Sequence, residues 1–270
     1  MEYKTIGFIG AGKMASAIIK GLIKTNFTNS KNICATQASS VGIEDKSAEL
    51  GVHVSNNNQE LVKWADVIFV ATKPNQVTGV LTDIEPFFTE NKLLISIAAG
   101  VTAKKIESFF KNKVRVVRVM PNTPALVGEG MSGIVKGSFA SNEDIEYAKK
   151  LLSAIGKCVV VDNEKQIDIV TAISGSGPAF FYKVINEIAR AGEKLGLDYK
   201  KSLELSIQTA IGSAKMAMNR NIPMEELIAN VATKGGCTAV GVDCMNNYDT
   251  EKLFYDVINK TAAKAEELGN

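Results

Sequence analysis

The chain has 270 residues, 46% hydrophobic and 22% charged, an ordinary globular balance with ample material for a sizeable core. Lys and Arg number 31 against 29 Asp and Glu, and no basic run alternates with aromatics, so neither nucleic acid nor a membrane surface is an expected partner. Apolar runs such as Val67–Ala71 and Leu93–Ala99 are strand-sized, far short of the ~18–20 residues of a membrane span.

The stretch "MEYKTIGFIG" has no basic segment ahead of an apolar one, so no secretory leader is expected and the expected compartment is the cytoplasm. Cys34, Cys158, Cys237 and Cys244 show neither CxxC nor zinc-finger spacing and are expected to be reduced thiols. His53 is the chain's one histidine, and no metal site is expected.

In chain order, β-rich runs are predicted at Thr5–Ile9, Asn32–Thr36, Val67–Thr72, Leu93–Ala98, Val114–Met120, Gly133–Val135 and Cys158–Val161. Several, "VIFVA" and "LLISIAA" above all, are continuously apolar, as strands buried on both faces of a parallel sheet must be. Between them the spacing predicts helices at Met14–Lys24, Gln59–Trp64, Gln76–Glu85, Thr102–Phe110 and Asn142–Ile155. Strand and helix in alternation imply βαβ units and a doubly wound sheet.

The pattern changes after Asp162. Phe181, Val184, Ile185 and Ile188 follow i, i+3, i+4, i+7 spacing. Leu203, Ile207, Ile211 and Ala214 repeat a four-residue step. Asp198 is placed to cap their helix, and Pro223 to open a third, "PMEELIANV". Thr250 or Asp249 starts the last. The expected organisation is an α/β dinucleotide-binding domain of the Rossmann type over 1–162 and an all-helical domain over 163–270.

"TIGFIGAGKMASAIIKGL" carries Gly10-x-Gly12-x-x-Ala15 directly after a strand and at the opening of a helix. Gly10 permits the tight turn, Gly12 lets the backbone approach a pyrophosphate, and Ala15 allows close helix–sheet packing. The helix N-terminus offers free N–H groups to the anion. The second strand ends "ICATQASS", with Gln37, Ser39 and Ser40 and no carboxylate to repel a 2′-phosphate. NADP is therefore the expected cofactor, with NAD the alternative. Lys73-Pro74 and Pro121-Asn122 follow two further strands, and both are expected at the ligand-binding edge of the sheet.

"GFIGAGKMASAI", "ATKP", "SIAAGV", "RVMPNTPALVGEGMSG" and "TAISGSGPAFFY" together resemble, in order and along the whole chain, the pyrroline-5-carboxylate reductases, the enzymes that make proline. "VATKGGCTAVG" falls where that family carries Ser-Pro-Gly-Gly-Thr/Ala-Thr. The resemblance implies hydride transfer from the nicotinamide C4 to C5 of 1-pyrroline-5-carboxylate. It implies that Gly10, Gly12, Lys13 and Met14 cradle the pyrophosphate, that Ser39, Ser40 and Asn58 lie at the adenosine ribose, and that Lys73 and Pro74 border the cofactor. Met120, Pro121 and Asn122 would border the nicotinamide.

Thr238 matches the family threonine whose hydroxyl bonds the imine nitrogen, the one catalytic assignment. The backbone N–H groups of Gly236 and Cys237, with the Thr233 hydroxyl, would hold the carboxylate, and Ser174 and Ser176 would face the pocket. The family forms dimers through the helical domain, often assembled into decamers, so a homodimer is expected. Thr233, Lys234 and Cys237 depart from the usual Ser, Pro and Thr or Ala.

Two other readings compete. The β-hydroxyacid dehydrogenases share the layout and resemble G-x-G-x-x-x-K, with lysine as acid/base. From Gly175 and Gly177 that position is Phe181, which cannot accept a proton; Lys183 is two residues on, about 200° around a helix. A non-catalytic cofactor-binding regulatory protein is the other, and the presence of Thr238 and the Gly-Gly pair speaks against it.

Overall fold

Short runs of branched and aromatic residues build one sheet in a computed structural model that describes residues 4–218 and 221–269. Its strands are β1 (Ile6–Ile9), β2 (Ile33–Thr36), β3 (His53–Ser55), β4 (Val67–Val70), β5 (Leu93–Ser96), β6 (Arg115–Met120), β7 (Gly130–Lys136) and β8 (Gly156–Val160). They lie in the order β3-β2-β1-β4-β5-β6-β7-β8. Ile6 of β1 stands opposite Ile33 on one side and Val67 on the other, both in parallel register. The chain winds outward from β1 in one direction, then crosses to β4 and winds in the other, which puts the switch point between β1 and β4.

Every residue of β1, β4 and β5 is buried, as their unbroken apolar runs require. Phe8 and Phe69 stack on one face with ring centroids 4.5 Å apart. That face is covered by α1 (Lys13–Lys24), through Ile18, Ile19 and Leu22, and by α6 (Asn142–Leu152), through Ala148, Leu151 and Leu152. The other face is covered by α3 (Asn58–Trp64), through Leu61 and Val62, α4 (Pro74–Ile84), through Val77, Leu81 and Ile84, and Ile106 of α5 (Ala103–Glu107). Each such fully buried aliphatic side chain contributes about 1.5–3 kcal/mol relative to exposure. Lys92, buried among them, donates from Nζ to the carbonyl of Ala65 at 2.7 Å. It thereby satisfies a carbonyl left open where α3 ends.

Two elements lie outside the sequence expectation. β3 is three residues long, too short for a periodic signal, and α2 (Ile43–Leu50) buries only Leu50, so it has no apolar stripe. The sheet is also not wholly parallel: β7 pairs antiparallel with β6, Met120 opposite Gly133. The connection from Met120 to Gly130 holds a single 3₁₀ turn, Thr123–Val127, and lacks the dozen or more residues of a parallel crossover. The expected helix Thr102–Phe110 is the shorter α5, capped by the Thr102 hydroxyl, which accepts from the Lys105 N–H at 3.1 Å.

After β8 all regular structure among the described residues is helical: α7 (Glu164–Val170), a π-turn at Thr171–Gly175, α8 (Gly177–Lys194), α9 (Tyr199–Ala217), α10 (Met224–Val231), α11 (Cys237–Asn247) and α12 (Thr250–Gly269). By contact density the chain forms two compact units, Met1–Ser176 with Lys260–Asn270, and Gly177–Asn259. In the second unit α8 and α9 pack as an antiparallel pair. Asp198 caps α9 by accepting from the Lys201 N–H at 3.1 Å, as its sequence position implies. Pro223 stands one residue before α10, at its N-cap. Much apolar surface of this unit is exposed in a single chain, including Phe181, Ile188, Leu205, Met216 and Val231.

Candidate active site

The turn after β1 shows why its glycines are needed. Gly10 has φ +100°, and a Cβ there would lie 2.8 Å from the carbonyl oxygen of Ala71 beyond β4. Any other residue would be strained and would push the two strand ends apart. Gly12 is different: a Cβ there would meet nothing within 4 Å. It is the N-cap of α1, its side supplies no cap, and the first-turn N–H groups of Lys13 and Met14 stay open. Ala15 is buried beneath. Open space above a glycine, beside uncapped N–H groups at the switch point, fits a dinucleotide pyrophosphate. Thr72, just past β4, adds a buried Oγ1 with no hydrogen-bond partner among the described residues.

The other cofactor candidates fall on this same edge, at the C-terminal ends of parallel strands. Ser39 and Ser40 follow β2, Lys73 and Pro74 follow β4, and Pro121 and Asn122 follow Met120 of β6. Asn58 opens α3 after β3. Its amide oxygen accepts from the Thr36 hydroxyl at 2.7 Å, and its Nδ2 donates to Asp83 at 3.2 Å. Asp83 also accepts from Gln59 at 2.8 Å. Thr36 and Asp83, which brace Asn58, carry no signal in sequence spacing, because three separate elements bring them together.

Asn122 is nine-tenths buried and ties three segments together. Its Oδ1 accepts from the Met131 N–H at 2.8 Å, and its Nδ2 reaches the carbonyl and hydroxyl oxygens of Ser174, 3.2 Å from each. Ser174 lies in the π-turn, where the Ser176 N–H bonds the Thr171 carbonyl at 2.8 Å. The wide turn is unusual in itself and recurs at functional sites. Gly175 within it faces Met120, whose Cε lies 2.6 Å from where a Cβ would stand. Ser174 thus joins the β6 edge directly. Ser176 ends the turn, half-buried.

In the second unit, Thr233–Gly236 is a β-turn in which the Gly236 N–H donates to the Thr233 carbonyl at 2.9 Å. Gly235 has φ +78°, whereas Lys234 is not among the positive-φ residues, the pattern of a type II turn. Lys234 holds position i+1, the place where proline is favoured, and the turn forms with lysine there. Because the Gly236 N–H closes the turn, it is not a free donor, contrary to the sequence expectation. The open donors are the N–H groups of Cys237 and Thr238 at the start of α11, whose N-cap Gly236 supplies no side-chain bond. The hydroxyls of Thr233 and Thr238 have no hydrogen-bond partner among the described residues, and Cys237 is exposed.

A Gly-rich cradle at a switch point, followed by an all-helical region, is the layout of a dinucleotide-binding oxidoreductase. The family model described as pyrroline-5-carboxylate reductase dimerisation matches residues 164–268, and one described as NADP oxidoreductase coenzyme F420-dependent matches residues 5–100. The pyrroline-5-carboxylate reductase of Methanosarcina acetivorans is 39% identical over 269 residues, covering 100% of this chain and 99% of that one. The solved structure of the Coxiella burnetii enzyme matches with TM-score 0.94 at 31% identity, over 100% of both chains. That of the Plasmodium falciparum enzyme, with NADP bound, matches with TM-score 0.87 at 32% identity, again over 100% of both. The chain belongs to the pyrroline-5-carboxylate reductase family, the oxidoreductases that reduce 1-pyrroline-5-carboxylate to proline.

Proposed function

We propose that this chain reduces 1-pyrroline-5-carboxylate with NADPH, the strand edge of the first unit holding the cofactor and the turn before α11 holding the substrate. The observation that carries this reading is the open cradle over Gly12 at the switch point. Lys13 and Met14 offer first-turn N–H groups to the pyrophosphate. Asn58, Ser39 and Ser40 meet the adenosine ribose, Lys73 and Pro74 border the cofactor, and Met120, Pro121 and Asn122 shape the nicotinamide end. The reduced nicotinamide supplies the hydride.

The substrate's carboxylate is taken by the N–H groups of Cys237 and Thr238 and the Thr233 hydroxyl, with Gly236 leaving the helix end unobstructed. Thr238 presents its hydroxyl to the imine nitrogen. Ser174 and Ser176 are the further polar residues assigned to substrate binding. A protonated imine is already electrophilic, so the residues' task is to orient it and to balance charge as the carbon is reduced. The family relatives and the NADP-bound solved structure favour this reading over an alcohol dehydrogenase.

The reading includes a functional division at 162/163, where strands give way to helices, and a homodimer formed through the helical domain, with decamers as a further assembly. Exposed apolar side chains on α8, α9 and α10 support association, since monomers rarely leave such surface uncovered. The four free thiols suit the reducing cytoplasm. The test is to mix purified protein with 1-pyrroline-5-carboxylate and NADPH or NADH and to follow loss of nicotinamide absorbance. Turnover is expected; cofactor binding without turnover on either would sink the reductase reading.

A further inference from the structure

Gln37 directly follows the last residue of β2, the place where NAD sites carry an acid for the ribose 2′-hydroxyl. Here the side chain is an amide, and it folds back on its own loop. Nε2 donates to the carbonyls of Ser39 and Val41, 2.9 Å from each. The Gln37 N–H bonds the Ser55 carbonyl at 2.9 Å, which anchors the loop to β3. The Val41 N–H donates to Ser39 Oγ at 3.0 Å.

These bonds decide which backbone groups the loop shows to its surroundings. The Ser39 and Val41 carbonyls are turned to the Gln37 amide. The N–H groups of Ala38, Ser39 and Ser40 meet no acceptor among the described residues, and those residues are exposed. The Ser39 hydroxyl, having accepted from Val41, keeps its proton to donate, and Ser40 carries another hydroxyl. The loop from Gln37 to Gly42 contains no carboxylate; Glu44 and Asp45 lie beyond it, in the first turn of α2. A run of backbone N–H groups with hydroxyls between them suits phosphate oxygens without needing an arginine.

We infer that Gln37 is a positioning residue that sets selectivity for NADPH over NADH, by turning the loop's carbonyls inward and its donors toward the 2′-phosphate. The inference rests on the proposed placing of the cofactor at this edge. NADH gives the same donors only a hydroxyl, so most of their contribution is specific to the phosphate.

The test uses the full chain without substrate, titrated with NADPH or NADH while the emission of the reduced nicotinamide is followed, so it does not depend on turnover. The parent is expected to bind NADPH at least about tenfold more tightly, the scale of one charge-assisted hydrogen bond. Gln37→Met keeps length and bulk but removes both donors. It is expected to weaken NADPH about tenfold and NADH less than about twofold. Ser40→Ala should likewise weaken NADPH alone. Thermal melting of each variant is measured alongside. Equal weakening of both cofactors, an unchanged ratio in both variants, or a parent that prefers NADH overturns the inference. A parent that binds neither cofactor overturns the functional reading itself, and this inference with it.

Discussion

The side-chain nitrogen of Asn122 lies 3.2 Å from both the carbonyl and the hydroxyl oxygen of Ser174, joining the end of β6 to the π-turn that precedes α8. Asn122→Ala would leave the half-buried Met131 N–H without its acceptor and the π-turn without its tie. The expected cost is about 1–3 kcal/mol, with a melting temperature lower by several degrees and a reduced kcat/KM. A variant as stable and as active as the parent would show that the tie is incidental.

Thr238→Ala is expected to lower kcat by about 10–100-fold, the worth of one hydrogen bond to a charged group, while the dissociation constant for NADPH stays nearly unchanged. Thr238→Ser should recover most of the rate, because it restores the hydroxyl. Steady-state kinetics with cofactor titration check both, and full activity in the alanine variant would refute the assignment.

Lys234 stands at i+1 of a turn whose i+2 residue, Gly235, has φ +78°. Lys234→Pro should stabilise the protein by about 0.4–1 kcal/mol by restricting the unfolded chain, with activity retained. Gly235→Ala places a Cβ at that φ and should lower both stability and substrate affinity. Melting curves and KM for 1-pyrroline-5-carboxylate report the two effects. A proline variant that melts lower would mean that the lysine conformation differs from that of a type II turn.

Arg118 is buried and reaches Glu164 at 3.3 Å and Asp168 at 3.7 Å. Burial pushes the Asp168 carboxyl above its ordinary 3.8; Arg118 pulls it down, and Glu266 and Glu164 push it up. The folded state therefore holds this proton more tightly than the unfolded state. The penalty for ionising Asp168 is full above its folded pKa and vanishes below 3.8. Asp168→Asn should melt at or above the parent temperature at pH 7, and the difference should shrink as pH falls toward 3.8. A variant that melts well below the parent at pH 7 would show that the Arg118 pairing outweighs the burial.

Light scattering should find at least a dimer, because exposed Phe181, Ile188, Leu205 and Met216 leave the helices of a single chain uncovered. A stable monomer would refute this.

Much of the fold was legible in local pattern. The continuous apolar runs of β1, β4 and β5 announce burial on both faces, and the Gly10-x-Gly12 turn announces the cradle, because single-strand periodicity and turn chemistry are local properties. The resemblance carried by the MPNTPA and SGSGPA blocks led to the family. β3 and α2 were missed because three residues, and eight of which only Leu50 is buried, carry too little periodicity. The reversal of β7 followed from a connection length that only the placed ends of β6 and β7 reveal.

The sequence by itself determined the α/β-then-helical order, the dinucleotide turn and the chemistry available to the turn before α11, since each depends on residue types at short spacing. Only the tertiary structure decided that Gly236 spends its N–H on closing that turn, and that Asn122 meets Ser174. It also decided that Asn58 is held between Thr36 and Asp83, and that Gln37 turns back onto its loop. These are choices of hydrogen-bond partner among many polar groups: the Asn122 and Asn58 bonds are made by the packing that brings distant segments within 3 Å or so of each other, and those of Gly236 and Gln37 by the three-dimensional path of their own loops.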